Sequence, residues 1–314
     1  MLQNAAYLVG GLAFLVVGAE GLVRGSTGIA RRLGVTALVI GLTVVAFGTG
    51  SPELVLSVQA ARAGNSAIAL GNVVGSNISN VLLVLGVAAL VKPMSVRSQL
   101  VRREMPLMIS VTLVLLVMLF DGTLSRLDGI MLVAAAIAYT VFAYVAAKQG
   151  ETAEVLEEFD EALIEPTRPG WLDAAMLGAG LAALLFGANL LLTGATFIAE
   201  SFGVSQMVIG LTVVAIGTSL PELATSVASA ARGEADVAFG NVIGSNVLNI
   251  TAVLGVAAII RPFEVVGLRP LDVGVLIASP LLLLVTMRRG WVLSRWEGAV
   301  LLLAYVAYLY SLLP

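Results

Sequence analysis

Apolar segments long enough to span a bilayer recur about ten times along this chain, and that recurrence limits its fold more than any other feature. A span needs about 17 to 25 mostly apolar residues. The predicted spans are 5–23, 35–60, 67–91, 104–120, 128–147, 172–199, 204–230, 236–260, 270–287 and 296–312. Inside lipid each backbone N–H and C=O must be satisfied without water, so runs this long have to be helices. A transmembrane barrel would instead show short alternating segments. Charged residues make up 12% of the chain, about half the share in soluble domains, and the mean hydropathy is +1.02. The expected fold class is an all-α membrane protein of ten transmembrane helices. The opening stretch MLQNAAYLVGGLAFLVVGAEGLV lacks a basic n-region and a small-residue cleavage site, and it reads as the first span.

Basic residues orient these spans. Alternate loops assign 13 of the 17 lysines and arginines to one side, among them Arg24, Arg31, Arg32, Lys92, Arg97, Arg232, Arg288 and Arg289. Arg62, Arg126, Arg261 and Arg269 fall on the other. The positive-inside rule makes the first side cytoplasmic and puts both termini outside a cell (inner, plasma) membrane. Trp171, Trp291 and Trp296, near span ends, suit interfacial anchoring, although ordinary packing would place them as well. One long hydrophilic segment, 148–170, carries seven acids from Glu151 to Glu165 and reads as a solvated cytoplasmic linker without an EF-hand pattern.

An internal repeat divides the chain at that linker. GLTVVAFGTGSPEL at 41–54 returns as GLTVVAIGTSLPEL at 210–223, and GNVVGSNISN at 71–80 returns as GNVIGSNVLN at 240–249. Both copies are offset by 169 positions. Five spans precede the linker and five follow it, so the second copy enters the membrane from the opposite side. The expected organisation is a first repeat 1–147, the linker 148–170 and a second repeat 171–314, an inverted-topology pair of five-helix halves. Such repeats mark secondary transporters, whose substrate sites lie near the midplane where the halves meet.

Each copy buries one acid in an apolar span, Glu53 and Glu222. Ionisable residues at that depth cost roughly 2.5–3.5 kcal/mol each and are functional by default. Pro52 and Pro221 cannot donate to the carbonyls of Gly48 and Gly217 four residues back, so the helix should loosen there and expose neighbouring carbonyls such as those of Ala46 and Ala215. Thr49 and Thr218 stand four residues before the acids and share their helix faces; Ser76 with Asn80, and Ser245 with Asn249, share faces on the next span. Glycines 71, 75, 240 and 244 permit close helix approach. Two carboxylates in a shell of hydroxyl, amide and carbonyl oxygens suit sodium or calcium. The chain has no cysteine or histidine, which removes disulfides, thiolate chemistry and the usual zinc, copper and haem-iron ligands.

At these motifs, G-T-x-x-P-E-L and G-N-x-x-G-S-N in duplicate, the chain resembles the cation/calcium exchanger superfamily, specifically its short prokaryotic sodium/calcium exchangers. The resemblance implies a sodium/calcium antiporter with four core helices, the second, third, seventh and eighth spans, around the ions. It also implies that the first and sixth spans slide across that core in alternating access. Its ion ligands would fall on Ala46, Thr49, Glu53, Ser76 and Asn80, and on Ala215, Thr218, Ser219, Glu222, Ser245 and Asn249. Gly50 stands where the family usually has a serine, as Ser219 still does, and Asn249 stands where some relatives have aspartate. Three sodium ions per calcium, the family count, would leave one positive charge moving.

The rival readings are a proton/calcium antiporter, a potassium-dependent exchanger and, in a different class, a calcium channel. Proton-coupled relatives typically carry G-N-x-x-E where this chain has Gly48-Thr49 through Glu53, which favours sodium. Enzyme chemistry is not expected, since the motifs hold no histidine and no second acid for a dyad. The expected partners are the lipid bilayer and the two transported ions, with no cofactor and no nucleic acid; a monomer is the working expectation.

Overall fold

The computed structural model describes residues 2–150, 169–201, 215–265 and 267–312, and among them seven helices are long and apolar enough to cross a membrane. The count is eight if the bent pair Ala37–Thr49 and Ser51–Ala63, kinked by 45°, forms one span. In chain order the helices are α1 (Leu2–Leu33), α2 (Ala37–Thr49), α3 (Ser51–Ala63), α4 (Ser66–Val91), α5 (Leu100–Asp121) and α6 (Arg126–Gly150). Then follow α7 (Gly170–Ser201), α8 (Ala215–Thr218), α9 (Leu220–Arg232), α10 (Ala235–Ile260), α11 (Pro270–Arg288) and α12 (Arg295–Tyr310). The predicted ten spans are therefore only partly realised. Span 204–230 begins outside the described residues and continues in α8 and α9. Span 296–312 becomes α12 with 16 residues, about 24 Å of helix against a hydrocarbon core of about 30 Å. Most of the acidic linker, 151–168, lies outside the described residues.

Helix ends follow local chemistry. Thr36 and Asn65 accept the N–H of Val39 and Ile68 and so start α2 and α4. Ser294 and Glu297 form a reciprocal capping box on α12. Gly64 (φ 78°) and Gly233 (φ 84°) stop α3 and α9 in the left-handed region, 169 positions apart. A basic group lies over each of these C-terminal ends, Arg261 at Gly64 and Lys92 at Gly233, where the helix dipole favours positive charge.

Two short antiparallel ribbons tie the helix ends together. Strand β1 (Met94–Ser95) pairs with β4 (Val292–Leu293), and β2 (Thr123–Leu124) pairs with β3 (Phe263–Glu264). Helix α5 therefore leads from the first ribbon to the second, and α11 leads back. Beside the first ribbon sit the Arg97–Asp236 pair at 2.6 Å and the bond from Arg295 Nε to the Leu90 carbonyl at 3.0 Å. Beside the second, Arg269 Nη1 donates to the Ser311 carbonyl at 2.8 Å.

Helices α4 and α10 form the centre of the molecule, the latter almost wholly buried. Gly240 and Gly244 let α10 lie against the backbone of α2 at Leu38, Gly41 and Leu42. Gly71 and Gly75 meet nothing within 4 Å among the described residues; the stretch matching α2 by the offset, 206–214, is not described. Outward-facing side chains such as Val117, Phe120, Ile137, Phe186 and Leu303 are apolar and exposed, as a lipid-facing surface requires.

A second, separate apolar cluster joins α1, α2 and α7 around Leu15, Leu22, Val39, Val45 and Leu184. Gly11, Gly18 and Gly25 face Gly187, Gly180 and the Asp173–Leu177 turn so closely that a Cβ at Gly18 would stand 2.7 Å from the Leu184 nitrogen. Arg32 and Asp173 close the same seam with a 2.7 Å ion pair. The two helices thus form one rigid unit, since small residues replace hydrophobic drive as the means of close packing in lipid. Gly18→Val should lower stability by about 1–3 kcal/mol through overpacking. Gly178→Val, at a position on α7 with nothing within 4 Å, should leave the thermal unfolding midpoint in detergent unchanged.

Candidate cation site

The site begins with two helix breaks. Gly50 (φ −76°, ψ 5°) separates α2 from α3, and Ser219 (φ −86°, ψ 5°) separates α8 from α9. Pro52 and Pro221 occupy the second helical position after each break, where a missing N–H is harmless. The sequence placed loosened carbonyls at Ala46 and Ala215. The Ala46 carbonyl instead keeps its bond from the Gly50 N–H at 3.0 Å, because the break falls at the end of that turn. It still faces the pocket, with Ser245 Oγ donating to it at 3.5 Å. In the second copy the Ser219 N–H turns to the Ile216 carbonyl at 3.1 Å; Ala215 opens α8, and the structure does not describe its side chain.

Each break puts its acid in the first turn of a helix, where the dipole favours an anion. Glu53 is 1% exposed and Glu222 fully buried. The Thr218 hydroxyl lies near the Glu53 carboxylate and the Thr49 hydroxyl near that of Glu222, so each threonine stands beside the acid of the other copy. Ser76 Oγ donates to Glu53 Oε1 at 3.4 Å. Glu53 Oε2 and both oxygens of Glu222 have no hydrogen-bond partner among the described residues. Burying a charge without a partner costs several kcal/mol. Among the described residues nothing answers these three oxygens, which leaves them able to receive a cation.

An asparagine frame holds the remaining oxygens. Asn77 Nδ2 donates to the Asn246 carbonyl at 3.1 Å, and Asn246 Nδ2 donates to the Asn77 carbonyl at 3.2 Å. Asn80 Nδ2 donates to Asn246 Oδ1 at 3.1 Å, and Asn249 Nδ2 to Asn77 Oδ1 at 3.2 Å. With both amide nitrogens engaged, the Asn80 oxygen is left without a partner among the described residues. The Asn249 oxygen lies 3.6 Å from where a Cβ at Gly50 would stand. Both asparagines open π-helical turns, Asn80–Val84 and Asn249–Leu254, a widening often found at functional sites. A turn below the acids, Asn72 Nδ2 donates to the Glu53 carbonyl and Ser57 Oγ, as Asn241 Nδ2 does to the Glu222 carbonyl and Ser226 Oγ. Thr49 Oγ1 also donates to Asn241 Oδ1 at 3.0 Å.

Sequence reasoning thus brings together Ala46, Thr49, Glu53, Ser76, Asn80, Thr218, Ser219, Glu222, Ser245 and Asn249 around one junction. Ser219 sits slightly apart, sharing a 3.1 Å hydroxyl pair with Ser79. It missed the supports Asn72, Asn77, Asn241 and Asn246 and their serines. Their signal was present, since Asn72 and Asn77 recur at the same offset as the ligand candidates. The donor set is entirely oxygen, which suits a hard cation.

Comparison with known proteins places this geometry. The family model described as sodium/calcium exchanger protein matches residues 4–145 and again 172–313. Sodium/calcium exchanger MaX1 of Methanosarcina acetivorans is 36% identical over 303 residues, covering 85% of this chain and 86% of its own. Inner membrane protein YrbG of Escherichia coli is 40% identical over 279 residues, 86% of each chain. A solved structure of the sodium-calcium exchanger NCX_Mj, soaked with Na+ and Sr2+, superposes with a TM-score of 0.86 at 33% identity, over 100% of this chain and 99% of that one.

Asn246→Ala should strip Asn80 of its partner and lower stability by about 1–3 kcal/mol. Ser51→Ala, which removes only an exposed bond to the Phe47 carbonyl, should change it by less than about 0.5 kcal/mol. Thermal unfolding in detergent separates the two.

Proposed function

The chain belongs to the sodium/calcium exchanger protein family, and on that premise we propose that it exchanges sodium for calcium by alternating access at the Glu53–Glu222 pocket. The observation that carries this reading is the set of three carboxylate oxygens, buried at the junction of the two sequence copies and without a hydrogen-bond partner among the described residues. The ions would be held by Glu53, Glu222, Thr49, Thr218, Ser76, Ser245, Asn80, Asn249, Ser219 and the carbonyls of Ala46 and Ala215. Two ionised glutamates balance either one divalent ion or two monovalent ions. Exchange is obligatory because an empty pocket would strand two buried charges during the crossing.

The membrane arrangement belongs to the same proposal: ten spans in two inverted five-helix halves, 1–147 and 171–314, joined by a cytoplasmic linker at 148–170. Supporting it, α4 ends at the first ribbon whereas its image α10 ends at the second, and α5 and α11 likewise run in opposite senses. Among the described residues, contacts at helix ends such as Arg97 with Asp236 and Arg261 over Gly64 join loops that the basic-residue count assigns to one side. With the cytoplasm at the first ribbon, the rigid α1–α7 pair would slide across the core. The ion pair between Glu20 on α1 and Arg232 at the end of α9 is one link that would break as it moves.

Sodium rather than proton coupling is supported by the hydroxyl and amide lining and by the name of the MaX1 relative. Reconstituted into vesicles, the protein should take up calcium-45 when an opposing sodium gradient is imposed, and a pH gradient with an ionophore control should not replace it. Glu53→Gln and Glu222→Gln should each abolish that uptake; normal uptake in either would refute the site. Because the chain has no cysteine, Arg62→Cys should react with a membrane-impermeant maleimide from outside the cell. Arg289→Cys should react only after lysis, and the reverse pattern would invert the orientation.

A further inference from the structure

The two halves of the pocket carry the same side chains but hold their hydroxyl protons differently. In each half an asparagine is fixed by its amide nitrogen. Asn72 Nδ2 donates to the Glu53 carbonyl at 3.2 Å and to Ser57 Oγ at 3.0 Å. Asn241 Nδ2 donates to the Glu222 carbonyl at 3.3 Å and to Ser226 Oγ at 3.1 Å. A backbone carbonyl can only accept, so these bonds identify the oxygen end of each amide. Asn241 Oδ1 takes the Thr49 hydroxyl proton at 3.0 Å, whereas Asn72 Oδ1, buried at the image position, has no partner among the described residues. The image of Thr49 is Thr218, whose hydroxyl lies near the Glu53 carboxylate. The serines differ in the same direction. Ser245 Oγ donates to the Ala46 carbonyl at 3.5 Å, and both Glu222 oxygens are without a partner among the described residues. Its image Ser76 donates to Glu53 Oε1 at 3.4 Å.

We infer that Asn72 and Asn241 are positioning residues for the ion: each, by accepting the hydroxyl proton of the other copy's threonine, turns that threonine's oxygen toward the cation. The inference rests on the reading of the Glu53–Glu222 pocket as the cation site. A hydroxyl has one proton, and where that proton goes decides what a cation meets. Held by an amide oxygen outside the coordination sphere, it leaves the lone pairs to the ion. Turned to the carboxylate, it puts its positive end where the ion must sit. The Glu222 half has the first setting, because Thr49 and Ser245 give their protons to neutral oxygens. The Glu53 half has the second, with Ser76 donating to the acid. The backbone at the two breaks is alike, Gly50 (φ −76°, ψ 5°) and Ser219 (φ −86°, ψ 5°), so the second copy can make the bond that the first one makes. Cation loading at Glu53 therefore moves the Thr218 proton onto Asn72 Oδ1. Partners that orient a ligand in this way typically set metal affinity by about 10–100-fold.

Calcium binding to the full chain in detergent, followed by calorimetry, tests this. Asn72→Leu and Asn241→Leu keep the size of the side chain and remove the acceptor, and each should weaken binding about 10–100-fold. Ser57→Ala, which removes a partner of the Asn72 nitrogen and leaves the oxygen in place, should cost far less. A merely structural role would act regardless of the threonines, so the deciding readout is coupling. In a Thr218→Val background Asn72→Leu should add less than about twofold, and in a Thr49→Val background it should keep its whole effect; Asn241→Leu should show the converse. Equal losses in both backgrounds, or coupling to the threonine of the asparagine's own copy, overturn the inference. Where the leucine variants fail to fold, crystals of the unaltered protein decide. With strontium bound, Thr218 Oγ1 should lie within hydrogen-bond reach of Asn72 Oδ1, and a separation beyond about 3.5 Å contradicts the inference. Calcium binding that is absent, or unmoved by Glu53→Gln together with Glu222→Gln, takes down the pocket reading and the inference with it. Uncoupled losses in a chain that binds calcium through those acids sink the inference alone.

Discussion

Two carboxylates buried where no group among the described residues neutralises them govern the rest of this structure. A fold that only needed stability would pair such charges or replace them, since even a well-made buried ion pair is often no better than apolar packing. Here Glu53 keeps one oxygen and Glu222 keeps two without partners among the described residues. The surroundings oppose any collapse that would relieve them. Helix breaks at Gly50 and Ser219 aim both acids inward from helix N-termini, and the crossed asparagines of α4 and α10 fix the neighbouring amides so that their oxygens remain available.

The same logic separates rigid parts from parts that can move. The asparagine frame is a reciprocal network in which each half closes hydrogen bonds of the other, and it leaves the Asn80 oxygen without a partner among the described residues. The α1–α7 pair has its own glycine seam and its own apolar cluster, distinct from the central core. A membrane transporter needs this division, because the ion pocket must keep its geometry while its access changes. Arg32–Asp173 lies inside the α1–α7 unit, whereas Glu20–Arg232 links that unit to the core.

Much of this was legible in the sequence because the repeat made the same statement twice. A lone glutamate after a proline could be a snorkelling helix end; Glu53 and Glu222 at one offset, each four residues past a threonine, are harder to dismiss. The apolar runs gave the helices, although α12 stops at Tyr310, two residues before the predicted end, and span 204–230 is described only from Ala215. What stayed hidden depended on three-dimensional crossing. Asn77 and Asn246 look like any interhelical polar residue until α4 and α10 are seen to cross at those positions. The Ala46 carbonyl was expected to be released, yet one hydrogen bond, from the Gly50 N–H, retains it. Periodicity cannot say at which residue a proline-adjacent helix opens.

The most direct test of the central claim is to locate the ion. Crystals of the protein soaked in strontium or calcium should show a single anomalous peak between the Glu53 and Glu222 carboxylates, within coordination distance of both, and sodium should displace it. Carboxylates that point apart or toward the acyl chains, or a peak elsewhere with none between them, would contradict the account.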